Sequence, residues 1–204
     1  MTWHKRLFDL FFASLLVIIL GPVLIGLLLW LLIREGRPLF YVAERMKGVD
    51  QPFDLWKLRT MTVVDSDTGV SGGDKSARIT ATGAWLRSKR LDEFPQLWNI
   101  LKGDLSFVGP RPPLRQYVEQ FPEIYGEVLK SRPGVTGLAS IVYHKHEAAL
   151  LGRCETPEET DDIYARICVP RKAELDLIYQ RHQNMCFDFD LVFQTIGNLF
   201  RRGR

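Results

Sequence analysis

Ser88-Lys89-Arg90-Leu91-Asp92-Glu93-Phe94-Pro95-Gln96-Leu97-Trp98-Asn99-Ile100-Leu101-Lys102-Gly103-Asp104 is a charged turn feeding a short apolar helix, and Gly109-Pro110-Arg111-Pro112 follows it closely. Asp92 suits an N-cap and Pro95 a first helical turn, which directs Leu97, Ile100 and Leu101 inward and leaves Asp92 and Glu93 at the positive helix end. Arg87, Lys89 and Arg90 flank the two acids. Neighbouring cations favour ionised carboxylates, and an ionised carboxylate can attack phosphorus or hold a divalent metal. A capping Asp followed by Glu is also an ordinary helix start, so these residues alone support a structural reading beside the chemical one.

Upstream, Leu10 to Ile33 carries no charge, and Ala13 to Ile33 alone has the length of a membrane segment. The apolar run is too long for a cleavable signal peptide and no small-x-small site precedes a polar start, so it reads as an uncleaved anchor. Gly21-Pro22 near its middle predicts a bend, because proline lacks an N–H and crowds the preceding turn. Lys5 and Arg6 precede the run and Arg34 and Arg37 follow it, so the positive-inside bias selects no direction for a straight span. A hairpin returning to the same face satisfies both flanks, whereas a proline-kinked span avoids broken backbone in lipid.

The 204 residues suffice for one domain plus an appended segment. A net charge of +3, with no long basic run interleaved with aromatics, argues against a nucleic-acid groove. Cys154, Cys168 and Cys186 are odd in number and widely spaced, which indicates neither a disulfide framework nor a zinc knuckle and fits a reducing compartment. His144 and His146 alternate near Glu147 as on one strand face, a pattern commoner for surface or core-edge histidines than for a metal site.

After Pro38 the composition becomes that of a soluble domain. Strands are expected at Leu39–Ala43 and Phe53–Leu58 with a hairpin turn at Gly48–Pro52, then a polar loop from Asp65 to Ser76. Gly69 to Ser76 imitates a phosphate-binding loop, but Asp74 stands where its second glycine belongs and would repel phosphates, so a nucleotide-triphosphatase reading fails. Gly109-Pro110-Arg111-Pro112-Pro113 is a rigid turn presenting Arg111, and Ser131-Arg132-Pro133-Gly134-Val135-Thr136-Gly137 presents Arg132. With Lys57 and Arg59 these arginines can grip a diphosphate through forked hydrogen bonds; equally, the prolines shape loops whose arginines are solvated. Phe189, Val192, Phe193, Ile196, Leu199 and Phe200 recur at helical spacing before Arg201, Arg202 and Arg204, a face suited to a protein core or to a membrane surface.

Four ordered motifs, Leu55-Trp56-Lys57-Leu58-Arg59-Thr60-Met61, Leu91 to Ser106, Val108-Gly109-Pro110-Arg111-Pro112 and Arg132-Pro133-Gly134-Val135-Thr136-Gly137-Leu138, resemble the bacterial sugar transferases, the monotopic phosphoglycosyl transferase superfamily. The resemblance runs from the N-terminal segment to about Leu138 and resumes near Glu174 to Phe200. It implies a mainly helical α+β fold, with a re-entrant membrane segment over 1–37 broken at Gly21-Pro22, and a cytoplasmic catalytic domain over 38–204 with interfacial helices. The implied activity moves a sugar 1-phosphate from a UDP-sugar to polyprenyl phosphate and releases UMP, on the cytoplasmic face of a bacterial inner membrane, at the start of glycoconjugate synthesis. By the same resemblance Asp92 is the nucleophile and a Mg²⁺ contact, and Glu93 is a base or positions the lipid phosphate. Lys57, Arg59, Arg87, Arg111 and Arg132 become phosphate contacts, and Asp176 matches an acidic family position. Lys5, Arg6 and Asp9 match family residues suited to tying the membrane segment to the domain.

The chain departs from the family in two places. Gly21 replaces the usual serine before the proline, and Ala139 to Asp162 replaces a Gln-Val-Asn-Gly-Arg-like stretch, which leaves donor specificity open and makes Gly152–Asp162 read as a solvated connector. Membrane lipids are expected partners and self-association stays open. The alternative class is a non-enzymatic, single-span scaffold retaining the fold.

Overall fold

The computed structural model describes residues 2–64, 70 and 73–202. Helix α1 (Trp3–Glu35) starts where the Thr2 hydroxyl accepts from the Lys5 amide at 3.4 Å. The helical run continues through Gly21-Pro22, so the break expected there does not interrupt the secondary structure; Pro22 sits inside one 33-residue helix. What the proline does remove is one backbone donor, and with it one rung of the ladder at that turn. Of the most apolar 18-residue window of α1, only 6% is buried, and an apolar surface of this length is stable in lipid rather than in water.

Both ends of α1 dock on the domain. Near the start, Lys5 reaches Asp188 at 2.5 Å and Tyr179 at 3.2 Å, Arg6 donates to the carbonyls of Ile100 and Leu101, and Asp9 accepts from the Ser106 hydroxyl and the Phe107 amide. The expectation that Lys5, Arg6 and Asp9 tie this segment down is thus met. Near its end, Leu31 packs with Leu58 and Leu86, and Arg59 donates to the Glu35 carbonyl at 2.9 Å. Residues 14–26 between these anchorages are exposed or half-buried.

Strands β1 (Phe40–Gly48) and β2 (Gln51–Leu58) form an antiparallel hairpin, with Tyr41 opposite Lys57 and Ala43 opposite Leu55. It is longer than the sequence pattern suggested, because pairing extends through the polar residues up to the turn. Helix α2 (Ala81–Ser88) is capped by Thr80 and abuts the exit of β2: a Cβ at Gly83 would lie 2.0 Å from the Thr60 carbonyl oxygen. Helix α3 (Gln96–Lys102) follows the acidic pair. Its buried Asn99 accepts from the Trp56 amide at 3.2 Å and donates to the Asp54 carbonyl at 2.7 Å, which fixes α3 against β2 through two backbone groups. Strand β3 (Ser106–Val108), helices α4 (Arg115–Gln120) and α5 (Pro122–Val128) and strand β4 (Gly134–Thr136) complete the central region, with β3 and β4 parallel.

The stretch after Leu138 is helical rather than strand and connector: α6 (Leu138–Val142), α7 (His144–Leu151) and α8 (Pro157–Ile163). His144 and His146 therefore share no strand face. The connector reading failed because Thr156-Pro157-Glu158-Glu159 is a helix start: the Thr156 hydroxyl accepts from the Glu159 amide, and the Glu159 carboxylate reaches back to the Glu155 amide. A π turn at Tyr164–Cys168 leads into α9 (Val169–His182), and α10 (Met185–Arg202) closes the chain. The largest core cluster joins Met46, Tyr117, Val128, Tyr164 and Val169. On α10, Leu191 is buried and Val192 packs with it, whereas Phe193 and Ile196 stay exposed and Phe189 meets Phe8 of α1 at 5.1 Å. The periodic C-terminal face thus splits, one row entering the core and one remaining outside beside the membrane helix. The side chains of residues 199–204 lie outside the described residues, as do most of the 65–72 loop and the Asp74 side chain of the P-loop-like stretch; residues 73–78 form a 3₁₀ turn.

Candidate active site

Asp92 and Glu93 occupy a single 3₁₀ turn, Leu91–Glu93, entered through Arg90 in the left-handed region at φ 58°. A β-carbon there is strained, and such positions survive where the surroundings hold them. Helix α3 begins only at Gln96, and its N-cap position, Pro95, makes no side-chain cap bond, so Asp92 is not the N-cap that the sequence suggested. The acids stand one turn ahead of the helix, free of a capping role.

Their surroundings divide the pair. Glu93 forms ion pairs with Lys57 at 3.6 Å and Arg90 at 3.1 Å. Burial opposes its ionisation, but Lys57, Arg90 and Arg111 outweigh it and hold its carboxyl below the usual range. Asp92 moves the other way: burial, and then the charge of Glu93, raise it against the pull of Lys57, Arg90 and Arg87. Lys57 is pushed down to about 8 by burial and by Arg111, against the attraction of Glu93 and Asp92. Two acids in adjacent positions thus carry opposite perturbations, the arrangement that separates roles at a reaction centre.

Asp92, Glu93, Lys57, Arg59, Arg87 and Arg111 all line one cavity of about 530 Å³. Arg111 is placed by backbone contact between two glycine-bearing turns. A Cβ at Gly109 would lie 2.2 Å from the Arg132 carbonyl oxygen, and one at Gly137 would lie 2.1 Å from the Gly109 carbonyl oxygen, so side chains at either position would force the turns apart. Arg87 is steadied by Thr60 at 2.8 Å, while Arg59 spends part of its guanidinium on the end of α1.

Two expected contacts lie elsewhere. Arg132 sits beside Gly103 and Arg6, in the field of Asp9 and Asp104, at the docking end of α1. Asp176 is buried on α9, lines neither large cavity, and has an oxygen, Oδ1, without a hydrogen-bond partner. Burial raises Asp176 to about 7, partly opposed by Lys172. A folded-state pKa above the ordinary 3.8 gives stability that is full at low pH and lost as pH rises through about 7. The melting temperature should therefore fall between about pH 4 and 7 and level off above, with a contribution from this group of at most about 1.4 kcal/mol per pH unit. Asp176→Asn should flatten that slope and raise the melting temperature at pH 8; an unchanged slope counts against the assignment.

Sequence reasoning passed over Arg45 and the wall formed by α7, and it named Arg90 only as a cation flanking the acids. Glu147, held by Lys172 at 2.8 Å, lines the cavity together with His144 and Tyr164. The one available signal was the His144–Glu147 spacing, which brings both residues to one side only on a helix. Among the described residues no group of three or more His, Cys, Asp and Glu side chains forms a metal cluster. Two neighbouring carboxylates, one of them raised by burial and then by the other's charge, suit Mg²⁺, which uses one or two carboxylates and completes its shell with water and substrate phosphates.

A small mainly helical domain is tied to a long apolar helix that is little buried, and it centres an acidic pair beside arginines. The bacterial sugar transferase family model matches residues 1–202, and the chain belongs to that family. It is 33% identical to a Klebsiella pneumoniae UDP-glucose:undecaprenyl-phosphate glucose-1-phosphate transferase over 94% of this chain and 39% of that protein. A Caulobacter vibrioides protein of the same description is 30% identical over 96% of this chain and 69% of its own length. The Bacillus subtilis uncharacterized sugar transferase EpsL is 39% identical over 67% of each chain. The chain thus spans about two fifths of the Klebsiella relative's length.

Proposed function

We propose that the protein transfers a sugar 1-phosphate from a UDP-sugar to undecaprenyl phosphate, forming undecaprenyl-diphosphate-sugar and UMP. The carrying observation is the opposite perturbation of Asp92 and Glu93 inside one arginine-lined cavity. Glu93 is engaged by Lys57 and Arg90, whereas the raised Asp92 is the more basic and better nucleophile. An Asp92 carboxylate oxygen attacks the sugar-bearing phosphorus, the bridging P–O bond breaks, and UMP leaves. An acceptor phosphate oxygen then attacks the same phosphorus and the bond to Asp92 breaks, with Glu93 taking up or positioning the acceptor's proton. Arg111, Arg87 and Lys57 stabilise negative charge on the transferred group. Asp92 would hold Mg²⁺, which supplies charge neutralisation for the diphosphate when bound.

Residues 14–26 of α1 enter the cytoplasmic leaflet and return, in this reading, with Pro22 near the deepest point. Support comes from the anchorage of both ends of α1 on one domain, since a full span of about 30 Å of hydrocarbon would place them on opposite sides. A cysteine replacing Thr2, in a background lacking the native three, should resist an impermeant thiol reagent in cells with permeabilised outer membranes and react on lysis. Labelling before lysis would reject the re-entrant path.

The purified full chain with Mg²⁺, undecaprenyl phosphate and a panel of UDP-hexoses and UDP-N-acetylhexosamines tests the chemistry. Acceptor-dependent UMP release with one donor supports it, and silence across the panel overturns it.

A further inference from the structure

The cavity that holds the acidic pair shares six lining residues with a larger one of about 1540 Å³: Arg90, Glu93, Arg111, His144, Glu147 and Leu151. The first three belong to the charged centre. The other three stand at positions i, i+3 and i+7 of α7 and form one wall. Glu147 is the acid of that wall. Lys172 of α9 donates to its Oε1 at 2.8 Å and to the Tyr164 hydroxyl at 3.3 Å, with the ammonium 5.0 Å from the centre of the Tyr164 ring. The lysine side chain is 8% exposed and the glutamate side chain 20%, so the cation lies behind the acid and the acid meets the cavities. Burial alone would lower the Lys172 pKa, but Tyr164 and Glu147 reverse the shift and raise it, which keeps the cation charged. Tyr164 is set in place by the π turn before α9, and such turns recur at functional sites.

We infer that Glu147 selects the donor: tethered by Lys172, its carboxylate accepts hydrogen bonds from hydroxyls of an uncharged hexose and rejects the corresponding uronate, with Lys172 as the positioning residue. The inference rests on the transferase reading above. A carboxylate repels phosphate and has only acceptors to offer, so it suits the hydroxyl-rich part of the donor and not its diphosphate. The sugar 1-phosphate is the group that both steps of the transfer handle, and the α7 wall is the part of the shared lining that the phosphate chemistry leaves unused. The field of Arg111 reaches Lys172, which keeps this wall close to the phosphate grip. A sugar carboxylate gains nothing from Lys172 without first displacing Glu147 from it.

Paired donors test the selection. The full chain in nanodiscs with Mg²⁺ and undecaprenyl phosphate receives UDP-hexoses and UDP-N-acetylhexosamines, each against the UDP-uronate of the same ring, and kcat/KM is measured for every donor. The wild type should prefer the uncharged member of its best pair by at least about tenfold. Glu147→Gln should lower that ratio about tenfold, because the repulsion is gone and Lys172 is free to pair with a sugar carboxylate. Glu147→Gln/Lys172→Met leaves no buried cation unpaired and should lower the ratio as well, which covers a single variant that fails to fold. Inhibition by UMP should change by less than about twofold in both variants. A wild type without the preference overturns the inference whatever the variants do, as does an unchanged ratio in a folded variant. Inhibition by UMP that weakens as much as the donor KM also overturns it, because the nucleotide would then stand at Glu147. In these three cases acceptor-dependent UMP release persists and the transferase reading stands, whereas silence with every donor overturns both.

Discussion

Asp92→Asn should abolish acceptor-dependent UMP release, by roughly three orders of magnitude or more, and leave the fold intact or more stable. The amide keeps the shape of the side chain and loses the attacking charge. The stability half follows from the sign of the perturbation. Burial and Glu93 raise the Asp92 pKa, so its ionised form is disfavoured in the folded protein, and the cost grows as pH rises from the ordinary 3.8 to the raised value and is complete above it. Removing that charge relieves both burial and repulsion, and it leaves the ion pairs of Glu93 with Lys57 and Arg90 in place. The expected signature is therefore an inactive protein with an equal or higher melting temperature at neutral pH. Mass spectrometry after incubation with donor alone should show a phosphosugar adduct on the wild type and none on the variant. Normal turnover by Asp92→Asn would exclude Asp92 as the nucleophile, and a lower melting temperature would place the charge in a structural role instead.

The legible parts of this site are those that short-range chemistry writes into the chain. A charge-free stretch of membrane length, a polar turn between two strands and two proline-glycine turns presenting arginines all appear in the structure where their composition puts them. Arg111 reaches the acidic pair because Gly109 and Gly137 let two backbones touch, and both glycines stand in the quoted motifs. Arg132 sits in an equally stiff turn and points to the α1 docking end, a difference that no local feature records. The supposed capping role of Asp92 failed on a matter of one turn: the Leu91–Glu93 turn and Pro95 separate the acid from the helix, which frees it from the bond a cap would make. The helical start at Thr156 was readable and was outweighed by the acidity of its neighbours. The opposite perturbations of Asp92 and Glu93 depend on Lys57, brought from β2, and could not be read from the adjacent residues.

The largest expected loss of stability comes from a pair more than 180 residues apart. Lys5 and Asp188 are both buried, at 4% and 1% exposure. Tyr179 donates to the second Asp188 oxygen at 2.6 Å, and Gln183 donates to the Tyr179 oxygen at 2.9 Å, so one network joins the start of α1 to α9 and α10. Lys5→Met preserves the side chain's length and leaves the carboxylate buried without its cation, which should cost about 3–5 kcal/mol. Asp188→Asn should cost a similar amount, because its single oxygen can still accept from Tyr179 while its NH2 then faces the Lys5 ammonium. The double variant Lys5→Met/Asp188→Leu should regain much of the loss, since neither charge remains to be desolvated. Denaturant unfolding of the three variants in nanodiscs checks the order. A Lys5→Met cost below about 1 kcal/mol, the level of an exposed ion pair, would show that the network does not hold α1 to the domain. The same release should loosen α1 on the domain, because Lys5 anchors the start of that helix. Lys5→Met should therefore raise the KM for undecaprenyl phosphate more than that for the UDP-sugar, while a uniform loss of kcat with both KM values unchanged would confine the network to stability.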